Sequence, residues 1–200
     1  MKSITLLIPV YNEKSVLPQL FSRLDELAKS TPNYQFEFLF INDGSVDESL
    51  SIIASQAQKD TRISYINLSR NFGKEIAMIA GIDHAEGDAA VIIDADLQDP
   101  PELIKKMIAY WENGYDDVYA RRSSRQGETW LKKKTSQLYY RILQKSTSIP
   151  IQVDTGDFRL LDRRCIEALR QFRESQRNTK AIFSWIGYKK KEIFYDRDPR

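Results

Sequence analysis

One pattern constrains this chain more than any other. Four times within about the first 110 residues, a strand-sized apolar run gives way to a polar cluster and then to apolar residues at helical spacing. The runs are Ile4–Val10, Phe36–Ile41, Ile63–Leu68 and Ala89–Ile93. Apolar positions 16, 17, 20, 21, 24, 27 and 28 repeat with a 3.6-residue period. Leu50, Ile53, Ala54 and Ala57 share one helical face, with Asp47 placed to cap that helix. Glu75–Ala85 reads as a third helix containing Gly81, and Pro100–Pro101 opens a fourth at Glu102. Strand–helix units in this order predict an α/β fold, a mostly parallel sheet with helices on both faces.

In such sheets ligands collect beyond the carboxyl ends of the strands. That rule selects Pro9–Glu13, Asn42–Ser45, Ser69–Lys74 and Asp94–Gln98, and predicts that all four converge on one edge.

After Tyr119 the character changes. Residues 1–120 carry 10 basic and 19 acidic side chains, residues 121–200 carry 20 and 9, and the net charge of +2 conceals the split. Acidic residues can hold a metal; a basic half can hold phosphate or an anionic surface. Arg121–Lys145 is basic, with a helical apolar stripe through Trp130, Leu131, Leu138, Tyr139, Ile142 and Leu143. Aromatic and basic positions on one helix read as a membrane-surface face rather than a nucleic-acid interface. Asp154–Leu161 reads as loop then strand, Arg163–Phe172 as helix, and Lys189–Tyr195 as a last strand. Lys189–Lys191 reads as a solvated stretch, with contact to lipid headgroups as the other use of its charge.

One cysteine and one histidine exclude an internal disulfide framework, a Cys-rich zinc site and a His-pair metal motif, and they disfavour a Ser-His-Asp triad. Cys165 lies among apolar helix positions and reads as core; His84 reads as a late helix residue. The longest apolar run, Ile4–Val10, is far short of the roughly 18 residues of a membrane span. The first residues do not read as a signal peptide, and the free cysteine points to the cytosol.

Asp94-Ala95-Asp96 is the sharpest local signal. Two carboxylates this close raise each other's pKa unless a cation neutralises them. A divalent ion with oxygen ligands does so, with Gln98 as a further neutral oxygen. The plainer reading is an acidic surface turn. Asn42-Asp43-Gly44-Ser45 reads as a turn, or as a carboxylate aimed at a nucleobase N–H or ribose hydroxyl. Tyr11 reads as a base-stacking platform or a strand-end aromatic. Asn71-Phe72-Gly73-Lys74 resembles a phosphate-binding loop before a helix but lacks the spacing of a P-loop.

Together these clusters resemble the family 2 glycosyltransferases of the GT-A fold, and within them the polyprenyl-phosphate sugar transferases of the dolichol-phosphate mannose synthase and bactoprenol glucosyltransferase type. The residues that carry the resemblance are Ile8–Glu13, Asn42–Asp47, Ser69–Lys74, Asp94–Glu102 and Gly156–Leu160, in order along nearly the whole chain. The Asp-Ala-Asp-Leu-Gln-Asp-Pro-Pro-Glu run is specific to this branch.

The resemblance implies a single catalytic domain over 1–200, with a nucleotide-sugar half (1–120) and an acceptor and membrane-facing half (121–200). It implies nucleotide contacts at Pro9, Tyr11, Glu13, Asp43 and Asp94, and Mg²⁺ or Mn²⁺ on Asp94, Asp96 and Gln98. Asp157 matches a base or acceptor-positioning carboxylate. Arg122, Lys132, Lys133, Lys134, Ser136, Arg197 and Arg200 match the acceptor-phosphate side. The implied reaction is metal-dependent, inverting transfer from a nucleoside-diphosphate sugar, UDP before GDP, to a polyprenyl phosphate. The implied place is the cytoplasmic side of the cell membrane; a homo-oligomer is left open. In this branch an interface segment, often with transmembrane helices, is expected beyond residue 200. Two other readings remain at this level: the same fold with a saccharide or protein acceptor, and a non-catalytic nucleotide- or phosphate-binding module.

Overall fold

The computed structural model describes residues 1–123, 155–172 and 179–196. The first half runs β1 (Lys2–Val10), α1 (Leu17–Lys29), β2 (Tyr34–Asn42), α2 (Ser49–Ala57), β3 (Ile63–Asn67), α3 (Lys74–His84) and β4 (Ala89–Ile92). A 3-10 turn (Pro101–Leu103) leads into α4 (Ile104–Glu112), followed by β5 (Asp117–Arg122). Then come β6 (Thr155–Asp162), α5 (Arg163–Gln171), α6 (Thr179–Trp185) and β7 (Lys190–Tyr195). The seven strands form one sheet in the order β3-β2-β1-β4-β6-β5-β7.

Side-chain alternation along each strand divides the core in two. Ile4, Leu6 and Ile8 of β1, with Phe36, Phe38 and Phe40 of β2, face α1, α2 and α4. Leu7 of β1, with Leu39 and Ile41 of β2, faces α3, α5 and α6. β4 is buried along its whole length, as expected of a central strand covered on both faces. In α1 the buried residues are Leu17, Leu20, Leu24 and Leu27, one stripe at helical spacing. Helix α3 packs so closely on β2 that a Cβ at Gly81 would lie 2.9 Å from Ile41 Cδ1.

Strands β1 to β4 are parallel, as the alternation predicts. Strand β6 enters antiparallel between β4 and β5, and β7 then pairs parallel with β5. Neither β5 nor α6 is singled out by the sequence pattern. The apolar run of β5 is short, opening on Asp117 and closing on Arg121 and Arg122. Asp117 is nevertheless fully buried, where the equally buried Arg159 of β6 reaches it at 3.2 Å. The Arg159 guanidinium also lies 3.9 Å from the Phe183 ring centroid. Burial pushes the Asp117 carboxyl above its usual range, against the pull of Arg159.

Asp47 supports α2 one residue earlier than a standard cap: its Oδ1 accepts from the Ser49 amide at 3.0 Å. Asp162 caps α5 directly, accepting from the Arg164 amide. Among the described residues no helix is long and apolar enough to cross a membrane.

Candidate active site

All four strand-end clusters line one cavity of about 280 Å³. Pro9, Tyr11 and Glu13 follow β1, Asp43 follows β2, Asn71, Gly73 and Lys74 lead into α3, and Asp94–Asp96 follow β4. A larger groove of about 910 Å³ lies between α1 and α2. Three of its charged groups already pair with one another, since Arg62 binds Asp60 at 2.6 Å and Asp25 at 2.8 Å. It also opens beside the start of β3, away from the carboxyl edge.

The rim is stitched loop to loop. The Asn12 amide donates to Ser45 Oγ at 3.0 Å, and the Glu13 amide to Ser49 Oγ at 2.9 Å. The Val46 amide donates to Asn12 Oδ1 at 2.9 Å. Among the described residues, Asn12 and Leu97 are the non-glycine residues with positive φ, at 56° and 61°, and both lie in these site loops. Leu97 stands between Asp96 and Gln98, so its unusual backbone turns the chain there; the Gln98 amide donates to Asp96 Oδ1 at 3.1 Å. Tyr11 keeps 45% of its surface exposed over the cavity.

Asp43 is buried, and both of its oxygens are engaged. The Phe72 amide donates to Oδ1 at 2.8 Å and the Gly73 amide to Oδ2 at 2.9 Å. Gly44 follows at φ +66°, and a Cβ there would lie 2.3 Å from the Arg70 carbonyl carbon. In the 42–45 cluster Asn42 closes β2 and Asp43 is the clasp that fixes the loop before α3.

That loop delivers Lys74. Its Nζ lies 2.5 Å from Asp94 Oδ1 and 2.8 Å from Asp157 Oδ2. Burial pulls the Lys74 pKa down, but Asp94 and Asp157 outweigh it and the net shift is upward. Register explains the meeting. Ile92 of β4 pairs with Arg159 of β6 in antiparallel fashion. Continuing that register by two residues brings Asp94 opposite Asp157. Asp157 Oδ1 is buried without a hydrogen-bond partner among the described residues.

Gln98, expected beside Asp96, does not line the cavity. Arg122 ends β5 at the same sheet edge, with its guanidinium against the Tyr195 hydroxyl. That hydroxyl donates to Asp99, and burial together with Asp99 pushes its pKa up. Lys132, Lys133, Lys134, Ser136, Arg197 and Arg200 lie outside the described residues, as does the apolar stripe from Trp130 to Leu143. His84 ends α3 with Nδ1 2.8 Å from the Ala80 carbonyl oxygen, and Cys165 is buried in the core. Lys74 is the site residue that sequence reasoning passed over. The signal was present: a lysine in one of four strand-end clusters whose neighbours are acidic.

The sequence from residue 5 to 170 matches the description Glycosyl transferase family 2. The chain belongs to this family. An uncharacterized glycosyltransferase of Synechocystis sp. is 48% identical over 198 residues, covering 98% of this chain and 62% of the relative. A bactoprenol glucosyl transferase of Shigella phage SfV is 40% identical over 197 residues, covering 98% and 64%. This family 2 chain therefore spans less than two thirds of the length of those curated relatives. Among solved structures, glucosyl-3-phosphoglycerate synthase from Mycobacterium tuberculosis, in complex with Mn²⁺, UDP and phosphoglyceric acid, superposes with a TM-score of 0.67 at 16% identity. That match covers 100% of this chain and 71% of the synthase. The fold is the GT-A fold that the sequence motifs imply.

Proposed function

We propose that this chain is the catalytic domain of an inverting transferase that moves a sugar from a nucleoside diphosphate to a polyprenyl phosphate at the cytoplasmic membrane face. One observation carries the reading. Asp94 of the donor-side loop and Asp157 of the antiparallel strand β6 meet on a single lysine, in a cavity walled by all four strand-end clusters. The names of the bactoprenol relatives support the lipid acceptor.

In this reading residues 1–120 bind the donor and residues 121–200 the acceptor. Exposed Tyr11 offers its ring to the base. Pro9 and Glu13 shape the same wall, and Asp43, its oxygens committed to the 72–73 amides, contacts the nucleotide through their remaining lone pairs. A uridine donor is the first expectation. Asp94 and Asp96 fit Mg²⁺ or Mn²⁺: they give hard oxygens on one loop and line the cavity, whereas Gln98, the third expected ligand, stands outside that lining. Among the described residues no three His, Cys, Asp or Glu side chains form a closed metal site. Such an open set suits an ion that completes its shell on diphosphate oxygens and water. When bound, the ion supplies charge stabilisation for the leaving diphosphate.

The chain's own groups orient the partners. A phosphate monoester has a second pKa of about 6, so a lipid phosphate is already anionic at pH 7 and needs no strong base. Asp157 is therefore a positioning group, and attack by that phosphate opposite the leaving group inverts the anomeric carbon. Arg122, together with Lys132, Lys133, Lys134, Ser136, Arg197 and Arg200, supplies cations for the acceptor phosphate and the membrane surface.

The deciding experiment is calorimetric titration with UDP, GDP, UDP-glucose and GDP-mannose, each with and without Mn²⁺, followed by transfer assays with undecaprenyl phosphate and with soluble saccharides. Metal-dependent binding of one base family and transfer to the lipid phosphate are expected. Transfer only to a saccharide would replace the acceptor, and no nucleotide binding would remove the transferase reading.

A further inference from the structure

Lys74 stands where the loop after β4 meets the start of β6, with its ammonium between a carboxylate from each. Its backbone is held fast: Gly73 before it adopts φ 96°, and the Gly73 amide is tied to Asp43 Oδ2. Its four-carbon stem is not rigid in the same way. The side chain keeps 40% of its surface exposed on the cavity wall, so the ammonium has space to swing. Meanwhile Nζ lies 2.5 Å from Asp94 Oδ1, so the carboxylate expected to hold a divalent ion already carries a cation. A divalent ion on Asp94 would sit within a few ångströms of the ammonium, where like charges repel strongly. Without the lysine, Asp94 and Asp157 would lose the cation they share, and Asp94 would stand beside Asp96 on the cavity wall with no compensating charge from this loop.

We propose that Lys74 is a resident cation that holds Asp94 and Asp157 in the ligand-free site, and that a divalent ion takes Asp94 only by displacing it. The inference rests on the transferase reading for its purpose, but its content is a competition between two cations for one carboxylate. It makes ion binding weak in the empty site and strengthens it when the donor's diphosphate is present to receive the freed ammonium. The metal and the nucleotide sugar then enter together rather than in sequence.

The test is Mn²⁺ titration of the full chain without nucleotide, by calorimetry and by the paramagnetic signal of free Mn²⁺. Wild type is compared with Lys74→Met, Lys74→Gln and Lys74→Arg, with thermal melts confirming that each is folded. Both neutral variants are expected to bind Mn²⁺ about tenfold more tightly than wild type, and the arginine variant to stay within about twofold of it. If Lys74→Met does not fold, Lys74→Gln decides. Unchanged or weaker Mn²⁺ binding in a folded neutral variant overturns the proposal. So does equal tightening by Lys74→Arg, because charge would then not be the cause. Failure of the parent reading has a separate signature: no nucleotide sugar bound by wild type or by any variant, whatever the Mn²⁺ comparison gives.

Discussion

The hydroxyl of Tyr195, the last residue of β7, donates to the carboxylate of Asp99, in the loop that carries Asp94, Asp96 and Gln98. Both residues are buried. The edge strand of the sheet is thereby tied to the loop proposed to hold the metal. Tyr195→Phe removes the donor and leaves a buried carboxylate one hydrogen bond short, a loss of about 1–3 kcal/mol. Urea denaturation should show that loss, and calorimetry a weaker affinity for nucleotide sugar. Full stability in the phenylalanine variant would show that the bond is not needed.

Asp43→Asn tests the clasp. The amide group of asparagine would turn a donor toward Phe72 N–H or Gly73 N–H, where both carboxylate oxygens now accept. The expected loss of stability is about 1–3 kcal/mol, alongside loss of nucleotide binding. A variant that lost nucleotide binding with an unchanged melting temperature would make Asp43 a ligand contact only.

Gly44→Ala places a Cβ against the Arg70 carbonyl carbon and the Asn71 nitrogen, at 2.3 and 2.5 Å, from a backbone at φ +66°. Backbone atoms cannot rotate away as a side-chain tip can. Left-handed strain and overpacking together should cost about 2–4 kcal/mol. The displaced loop also carries Lys74, so donor binding should weaken in the same variant. A chemical melt with an unchanged midpoint would contradict this.

Asp162 sets an expectation for acid. Burial pushes its carboxyl up. The indole N–H of Trp111 at 2.7 Å, the Arg164 amide at 3.0 Å and the Arg164 guanidinium at 3.2 Å outweigh that and hold it below the usual carboxylate range. A carboxylate depressed in the folded state contributes stability that is complete above its unfolded value, about 3.9. That contribution is lost as pH falls through the lower folded value. Urea midpoints measured from pH 7 to 3 should therefore fall below about pH 4. The slope should be shallower in Asp162→Asn, and an identical slope would remove Asp162 from the account.

Asp157→Asn separates two acceptor chemistries. If the acceptor is a phosphate already anionic at neutral pH, the variant should keep measurable turnover with the lipid phosphate. A hydroxyl acceptor needs a proton removed, and the same change should then abolish turnover. Initial rates with each acceptor class decide between them.

How much of this was legible in the sequence follows from distance along the chain. The strands β1 to β4 and their helices announce themselves because each pattern is local. So does the convergence of the four polar clusters, which needs only the rule that parallel strands end on one edge. The antiparallel entry of β6 was not legible, since pairing Ile92 with Arg159 depends on contacts far apart in sequence. Strand β5 escaped notice because its leading residue, Asp117, looks like surface until Arg159 is brought to it. Lys74 was passed over for the same reason. Its partners, Asp94 and Asp157, lie in different parts of the chain, and a motif search limited to one loop finds only a P-loop that is not there.

The direction of β6 has a consequence for how the two carboxylates come together. Because β6 runs against β4, the end of one strand faces the beginning of the other. Asp94 lies just past the end of β4 and Asp157 near the start of β6, so a single ammonium reaches both. A β6 parallel to β4 would have opened at the far end of the sheet and carried Asp157 away with it. Lys74 is thus a keystone between an ending strand and a beginning one.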